Sequence, residues 1–261
     1  MQPEIRTVIV TRYVTPLREG GSLPAIVEAD DGFLYVLKFR GAGQGIKALI
    51  AELIGGEIAR VAGLKLPEIV FAELNEAYGR AEADEEIQDL LKFSTGLNLG
   101  MHYLSGAVSY DPAVFKPDPF LASRIVWLDA FLMNVDRTAR NTNMLLWQKE
   151  LWLIDHGASL YFHHNWENWK EQSVKPFIQI KDHVLLRQAS MLEAVDQSMK
   201  QVLNKQVIDG IVALIPEEWI EATFTESAET VRNTYSEFLQ VRLDSSEIFV
   251  KQALYARSSI V

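Results

Sequence analysis

The sequence predicts an α+β chain whose first part is rich in strands and whose second part is rich in helices. Three observations carry that prediction. Residues 1–40 hold β-branched and aromatic runs broken by glycine and aspartate. From residue 120 onward, apolar side chains recur at helical spacing. Between these regions Pro112, Pro117 and Pro119 mark a linker, which divides the chain into 1–105 and 106–261.

Composition narrows the function. At 261 residues the chain suits one large domain or two small lobes. With 48% hydrophobic and 23% charged residues it has an ordinary globular composition. Lys and Arg number 25 against 35 Asp and Glu, a net charge of −10, which disfavours wrapping nucleic acid because phosphate neutralisation needs clustered cations. A local basic pocket for one nucleotide is still compatible with that balance. There is no cysteine, hence no disulfide framework and no thiolate metal site. The first residues lack the basic start and apolar run of a signal peptide. No stretch approaches the roughly 18 uninterrupted apolar residues of a membrane span. A cytoplasmic protein with no membrane and no nucleic-acid partner is the expectation.

Strands are expected over residues 8–14, 25–29 and 33–39, the last two joined by the tight turn Asp30-Asp31-Gly32. The loop before the second strand contains Gly20, Gly21 and Ser22, whose glycines let backbone approach a ligand closely. In the third strand, FLYVLKF, both faces are apolar apart from Lys38. A buried ammonium needs a partner, unless Lys38 reaches water at the strand end. The glycine-rich stretch at 41–45 then leads into a helix over 47–62, with an apolar arc of Leu49, Ile50, Leu53, Ile54 and Val61. Glu52 and Glu57 lie on this helix, and either can reach Lys38. Residues 68–74 and 97–104 read as further strands, with an acidic loop or helix over 75–89. Helical patterns follow over 120–133, 183–203, 206–214 and 228–252.

The chemistry concentrates in residues 129–157, DAFLMNVDRTARNTNMLLWQKELWLIDHG. Residues 144–147 and 151–154 form a short apolar hairpin, with Asn141 just before it and Asp155 just after. Pairing the strands brings that amide and that carboxylate together, a donor set that suits Mg²⁺, which keeps water and phosphate oxygens in its shell. Asp136 opens the loop, placed to accept a proton from an attacking hydroxyl. Arg137 beside it is free to neutralise the loop or contact phosphate, and Gly157 permits a sharp backbone path after Asp155. Asp129 reads as an anchor for the loop and His156 as a packing residue. His163 and His164, with Trp166 and Trp169, read as a polar and aromatic surface segment, since adjacent histidines point apart.

The order Asp136-x4-Asn141, hairpin, Asp155-x-Gly157 resembles the catalytic and metal-binding loops of the protein-kinase-like fold. The wording NVDRTARNTNMLLW followed by LWLIDHGASL is most similar to the HipA-like kinases, a branch that includes bacterial toxin kinases. The likeness extends through YVLKF, AELIGGEIARVAGLKLP and DHVLL, about residues 20 to 190. It implies a two-lobed protein-kinase-like fold, with a β-rich N-lobe and a helical C-lobe, and transfer of the γ-phosphate of ATP to a hydroxyl with Mg²⁺. Carried over, Asp136 is the catalytic base, Asn141 and Asp155 hold Mg²⁺, and Lys38 clamps the phosphates with Glu52 as its partner. Gly20, Gly21 and Ser22 form the loop over the phosphates, and Asn143 is the alternative to Asn141. The sequence departs from the pattern where His-Arg-Asp becomes Asn134-Val135-Asp136, and in a glycine loop that does not spell G-x-G-x-x-G. The chain is also shorter than the full-size HipA toxins with their extra N-terminal domain, so a DNA-binding antitoxin partner is not implied. The acceptor expected is a protein Ser or Thr. The alternatives are a nucleotide-binding pseudokinase, and a metal-dependent hydrolase that would not need Lys38.

Overall fold

The computed structural model describes residues 4–17, 23–78 and 84–260. Five strands, β1 (Thr7–Pro16), β2 (Ala25–Ala29), β3 (Leu34–Lys38), β4 (Ile69–Leu74) and β5 (Gly96–His102), close into a barrel in the order β1-β2-β3-β5-β4. Neighbouring strands are antiparallel except at the seam, where β1 runs parallel to β4 through Thr7–Phe71, Val8–Ala72 and Ile9–Glu73. Closure explains why β3 is apolar on both faces. Tyr35 and Leu37 point inward with Val8, Val27, Val70 and Ala72, filling a narrow interior that suits small and β-branched residues. The opposite face looks toward the rest of the molecule. There Leu99 and Met101 of β5 join the main core, and Lys38 points toward the following helix.

That helix, α1 (Gly45–Val61), is wedged between the barrel and the helical part, and every residue from 49 to 59 is buried. The predicted apolar arc is only one of its packed sides. Ala51, Gly55, Gly56 and Ala59 make the other sides close-fitting. A Cβ at Gly56 would run into Ile69 Cδ1, and one at Gly55 would lie 2.8 Å from His156 Cβ. In the acidic segment, α2 (Glu85–Phe93) is capped by Asp84 and covers the barrel with Ile87 and Leu91.

Beyond the barrel, α3 (Pro119–Leu132) starts at Asp118, whose carboxylate accepts from the Phe120 and Leu121 N–H groups, with Pro119 at the first turn. Strands β6 (Val108–Ser109), β7 (Met144–Trp147) and β8 (Glu150–Leu153) form a small antiparallel sheet. Then come α4 (Trp169–Ser173), α5 (Leu192–Val202), α6 (Lys205–Val212), α7 (Glu217–Glu221), α8 (Ala228–Asp244) and α9 (Ser246–Ser258). Two predicted helices differ. Residues 184–188 are turns rather than helix: the Leu186 and Gln188 N–H groups donate only three residues back, to the His183 and Leu185 carbonyls, while Val184 donates to the Arg137 carbonyl and Leu185 to His183 Nδ1. The helix expected over 228–252 breaks at Ser245, between α8 and α9, in the serine pair Ser245-Ser246.

The helical part reaches back onto the barrel. Trp219 of α7 is fully buried, donates from Nε1 to the Leu97 carbonyl at 2.9 Å, and meets Phe71 edge-on. Beside it Arg40 pairs with Glu218 at 2.8 Å. Among the described residues no helix is long and apolar enough to cross a membrane.

Candidate active site

Lys38 ends β3 on the outer face of the barrel, and α1 presents Glu52 to it from a fully buried position. The ammonium donates to Glu52 Oε2 at 2.6 Å and to Asp155 Oδ1 at 2.7 Å. Glu57, the other acid on this helix, is turned to Arg60 and bonds its Nε at 2.9 Å. Burial alone would discharge the lysine, but Asp155 and Glu52 outweigh it and hold its pKa above the ordinary value. Burial would likewise raise the Glu52 carboxyl; Lys38, then His156, outweigh it and hold it below its usual range. Lys38, Gln44, Ala48, Glu52, Asp155 and Gly157 surround a cavity of about 20 Å³, room for one water. A surface cleft of about 1130 Å³ beside Arg60 and Lys205 contains none of the sequence-predicted site residues among the described residues.

Asp136 lies in the loop after α3 and is half-buried. Its Oδ2 accepts from Asn141 Nδ2 at 2.7 Å and from Asn143 Nδ2 at 3.2 Å, and its N–H donates to Asn134 Oδ1. The loop is drawn tight by the Thr138 N–H, which donates to the carbonyls of Asp136 and Asn141. Both asparagines considered from the sequence therefore converge on one carboxylate oxygen. Asn141 is exposed and Asn143 buried, and the Asn141 amide oxygen has no protein partner among the described residues.

Beneath the loop lies Asp129, fully buried on α3. Its Oδ1 accepts from Asn134 Nδ2 at 2.9 Å, and its Oδ2 accepts from Arg137 Nε at 2.6 Å and His183 Nε2 at 2.9 Å. Because His183 Nδ1 accepts from the Leu185 N–H at 3.0 Å, Nε2 carries the proton and donates. Burial would raise the Asp129 carboxyl, but Arg137 and the His183 N–H outweigh it and hold it well below the usual range. The anchor role expected for Asp129 matches these contacts. Arg137 corrects the reading of a phosphate contact: it is 1% exposed and turned inward. Nothing in the sequence separates an inward Arg137 from an outward one, because its acid partner is 8 positions upstream, on α3, rather than at a fixed offset along one element.

The hairpin pairs Met144 with Leu153 and Trp147 with Glu150, and turns through Gln148 and Lys149, both at positive φ. At its open end the Ile154 N–H donates to the Asn143 carbonyl at 3.0 Å. Asn143 (φ 46°) and Asp155 (φ 57°) are both left-handed. Such backbone costs about 1–2 kcal/mol per non-glycine residue, although Asn and Asp tolerate it best. The sharp path expected at Gly157 is made by Asp155 itself, which turns its carboxylate toward Lys38. His156 is fully buried against Gly55, and beyond the packing role expected of it, its Nδ1 lies 3.8 Å from Glu52 Oε1.

Gly20, Gly21 and Ser22 lie outside the described residues. His163 corrects the reading of a surface segment. It is 1% exposed, its Nδ1 is 3.0 Å from the Tyr235 hydroxyl, and its carbonyl accepts from Lys47 at 2.5 Å. Burial, then His164 and Lys47, push its pKa well below the usual value, so the ring is neutral. His164 is exposed, as expected.

A barrel strand carrying Lys38, a following helix that supplies its carboxylate, and a hairpin flanked by Asp136, Asn141 and Asp155 make a kinase-type architecture. A family model described as HipA-like kinase matches residues 10–247, and the chain belongs to that family. Among solved structures it resembles the crystal structure of a Helicobacter pylori proinflammatory kinase, CtkA. That match has a TM-score of 0.53 at 13% identity, covering 98% of this chain and 99% of that one. A Golgi casein kinase matches with a TM-score of 0.44 at 12% identity, covering 93% of this chain and 72% of that one. Comparison with curated proteins finds no match. The α+β kinase-like fold implied by the sequence is the fold observed.

Proposed function

We propose that this chain is an ATP- and Mg²⁺-dependent phosphotransferase that moves the γ-phosphoryl group to a hydroxyl, on a protein Ser or Thr. The observation that carries the reading is Lys38 held between Glu52 and Asp155 across the junction of barrel and helical part. On nucleotide binding Lys38 keeps Glu52 and exchanges Asp155 for phosphate oxygens, which frees a carboxylate that is 44% exposed. Asp155 and the Asn141 amide oxygen then offer the hard oxygen donors that Mg²⁺ takes, with Asn143 as the alternative amide. The metal would supply charge neutralisation at the phosphates. Asp136 accepts the proton of the acceptor hydroxyl as its oxygen bonds to the γ-phosphorus and the bond to the ADP oxygen breaks. Gly20, Gly21 and Ser22 cover the phosphates. The same reading divides the chain into a nucleotide-binding lobe, 1–105, and a catalytic lobe, 106–261.

The test is ATP binding by calorimetry with and without Mg²⁺, on the native chain and on Asp155→Asn. Metal-dependent binding in the native chain that is lost in the variant is the expected result; no binding to either overturns the reading. With a competent acceptor, Asp136→Asn is expected to retain ATP binding while transfer falls by roughly 10²–10⁴-fold. Undiminished transfer would remove the base role.

A further inference from the structure

One guanidinium joins Asp129 beneath the loop to both sides of the hairpin's open end. Arg137 directly follows Asp136, its Nε is fixed by Asp129, and its Nη1 donates to the Asn143 carbonyl and, at 3.3 Å, to the Ile154 carbonyl. Those carbonyls belong to opposite sides of the open end of the β7–β8 hairpin. Asn143 follows Asn141 by two positions, and Ile154 immediately precedes Asp155. The guanidinium therefore bridges the two backbone segments that carry the amide and carboxylate donors, at the place where both enter left-handed conformations. Its own position is fixed from beneath, since Asp129 also takes the His183 and Asn134 donors, and the Arg137 carbonyl accepts from the Val184 N–H at 3.1 Å.

We propose that Arg137 is a positioning residue that sets the separation between the Asn141 and Asp155 side chains, and through it the affinity of the site for a divalent cation. The inference rests on the phosphotransferase reading above. Lysine is the informative replacement. It keeps a positive charge for Asp129, but a single ammonium cannot reproduce the planar fork that reaches Asp129 and both carbonyls at once.

The test uses the full chain, with MgCl₂ titrated at fixed ATP and followed by calorimetry and by the thermal shift. Groups that orient metal ligands typically change metal affinity by roughly 10–100-fold when altered. Arg137→Lys is expected to raise the Mg²⁺ midpoint by at least about tenfold, and to change it more than it changes ATP affinity measured without metal. Equal changes in both quantities would mark general loosening and overturn the proposal, as would an unchanged midpoint in a folded variant. If Arg137→Lys does not fold, Asp129→Asn serves in its place. It loosens the Nε tether while leaving Arg137 present, and is expected to raise the midpoint in the same direction; an unchanged midpoint there overturns the proposal. A native chain without metal-dependent ATP binding brings down the phosphotransferase reading and this inference together. A metal-dependent native chain with unaltered variants brings down this inference alone.

Discussion

The Lys38 ammonium lies 2.6 Å from the fully buried Glu52 carboxylate, so β3 and α1 are tied at one point by a desolvated ion pair. Removing the lysine leaves Glu52 charged and without its cation, whereas the more exposed Asp155 can return to water. Breaking a buried pair from one side typically costs about 3–5 kcal/mol. Lys38→Met is therefore expected to lose stability in that range, and Lys38→Met with Glu52→Gln to recover part of the loss, because the remaining group is neutral. Urea unfolding of the three proteins measures this. A double variant no more stable than the single one would show that the orphaned charge is not the source of the loss.

Asp129 makes a prediction in the acid range. Its folded pKa is depressed below the ordinary 3.8, chiefly because Arg137 and His183 outweigh its burial. The stability it contributes is fully present above the unfolded value and is lost as pH falls through the folded one. Glu52 acts in the same direction from its ordinary value of 4.5. Urea midpoints of the native chain are expected to hold steady above about pH 5 and to fall steadily below it. Asp129→Asn should start from a lower midpoint and fall less steeply, since one of the carboxylates held below its ordinary pKa is gone. Parallel curves would show that Asp129 does not contribute to the acid loss.

These two sites differ in how far the sequence revealed them. Lys38, Asp136, Asn141 and Asp155 stand out because each is a polar residue at a fixed offset from an apolar strand, and the short hairpin leaves little choice about what meets at its open end. The barrel closure was not legible. Pairing β1 parallel to β4 joins segments about sixty residues apart, and a strand apolar on both faces looks alike in an open sheet or a barrel. The Asp129–Arg137–His183 cluster was hidden for a related reason. A buried arginine shows no periodic signal, and Asp129, which fixes it from α3, takes its other donor from His183 in a turn beyond residue 180. The apolar residues of that turn fit helical spacing and so predict helix, while its first N–H groups, at Val184 and Leu185, serve Arg137 and His183.

Gly55 separates propensity from packing. Alanine is favoured over glycine in a helix interior by about 1 kcal/mol. At Gly55, however, a Cβ would lie 2.8 Å from His156 Cβ and 3.3 Å from Leu132 Cδ1, and the first of these atoms is fixed close to the backbone. Overpacking a fitted core costs about 1–3 kcal/mol, so Gly55→Ala is expected to destabilise on balance. Because the atom displaced belongs to the residue after Asp155, Mg²⁺-dependent ATP binding should weaken as well. A variant that is stabilised, with nucleotide binding unchanged, would show that the 155–157 segment yields freely.

Trp219 and Glu218 are neighbours on α7 that join the same two parts of the molecule by very different means. Trp219 is fully buried between Phe71 and the Leu97 carbonyl, and truncating a core tryptophan to alanine costs about 3–5 kcal/mol. Glu218 is half exposed in its pair with Arg40, and exposed pairs contribute about 0–1 kcal/mol. Trp219→Ala is thus expected to lower the unfolding free energy by several times more than Glu218→Ala. It should also speed amide exchange in β4 and β5 ahead of α8 and α9, since the barrel loses the side chain that the helical part inserts beside it. Trp219→Phe, which keeps the ring but leaves the Leu97 carbonyl without its donor, should fall between the two. If exchange in β4 and β5 is no faster in Trp219→Ala than in the native chain, the barrel is held by its own closure and by α1, and α7 is not a clamp.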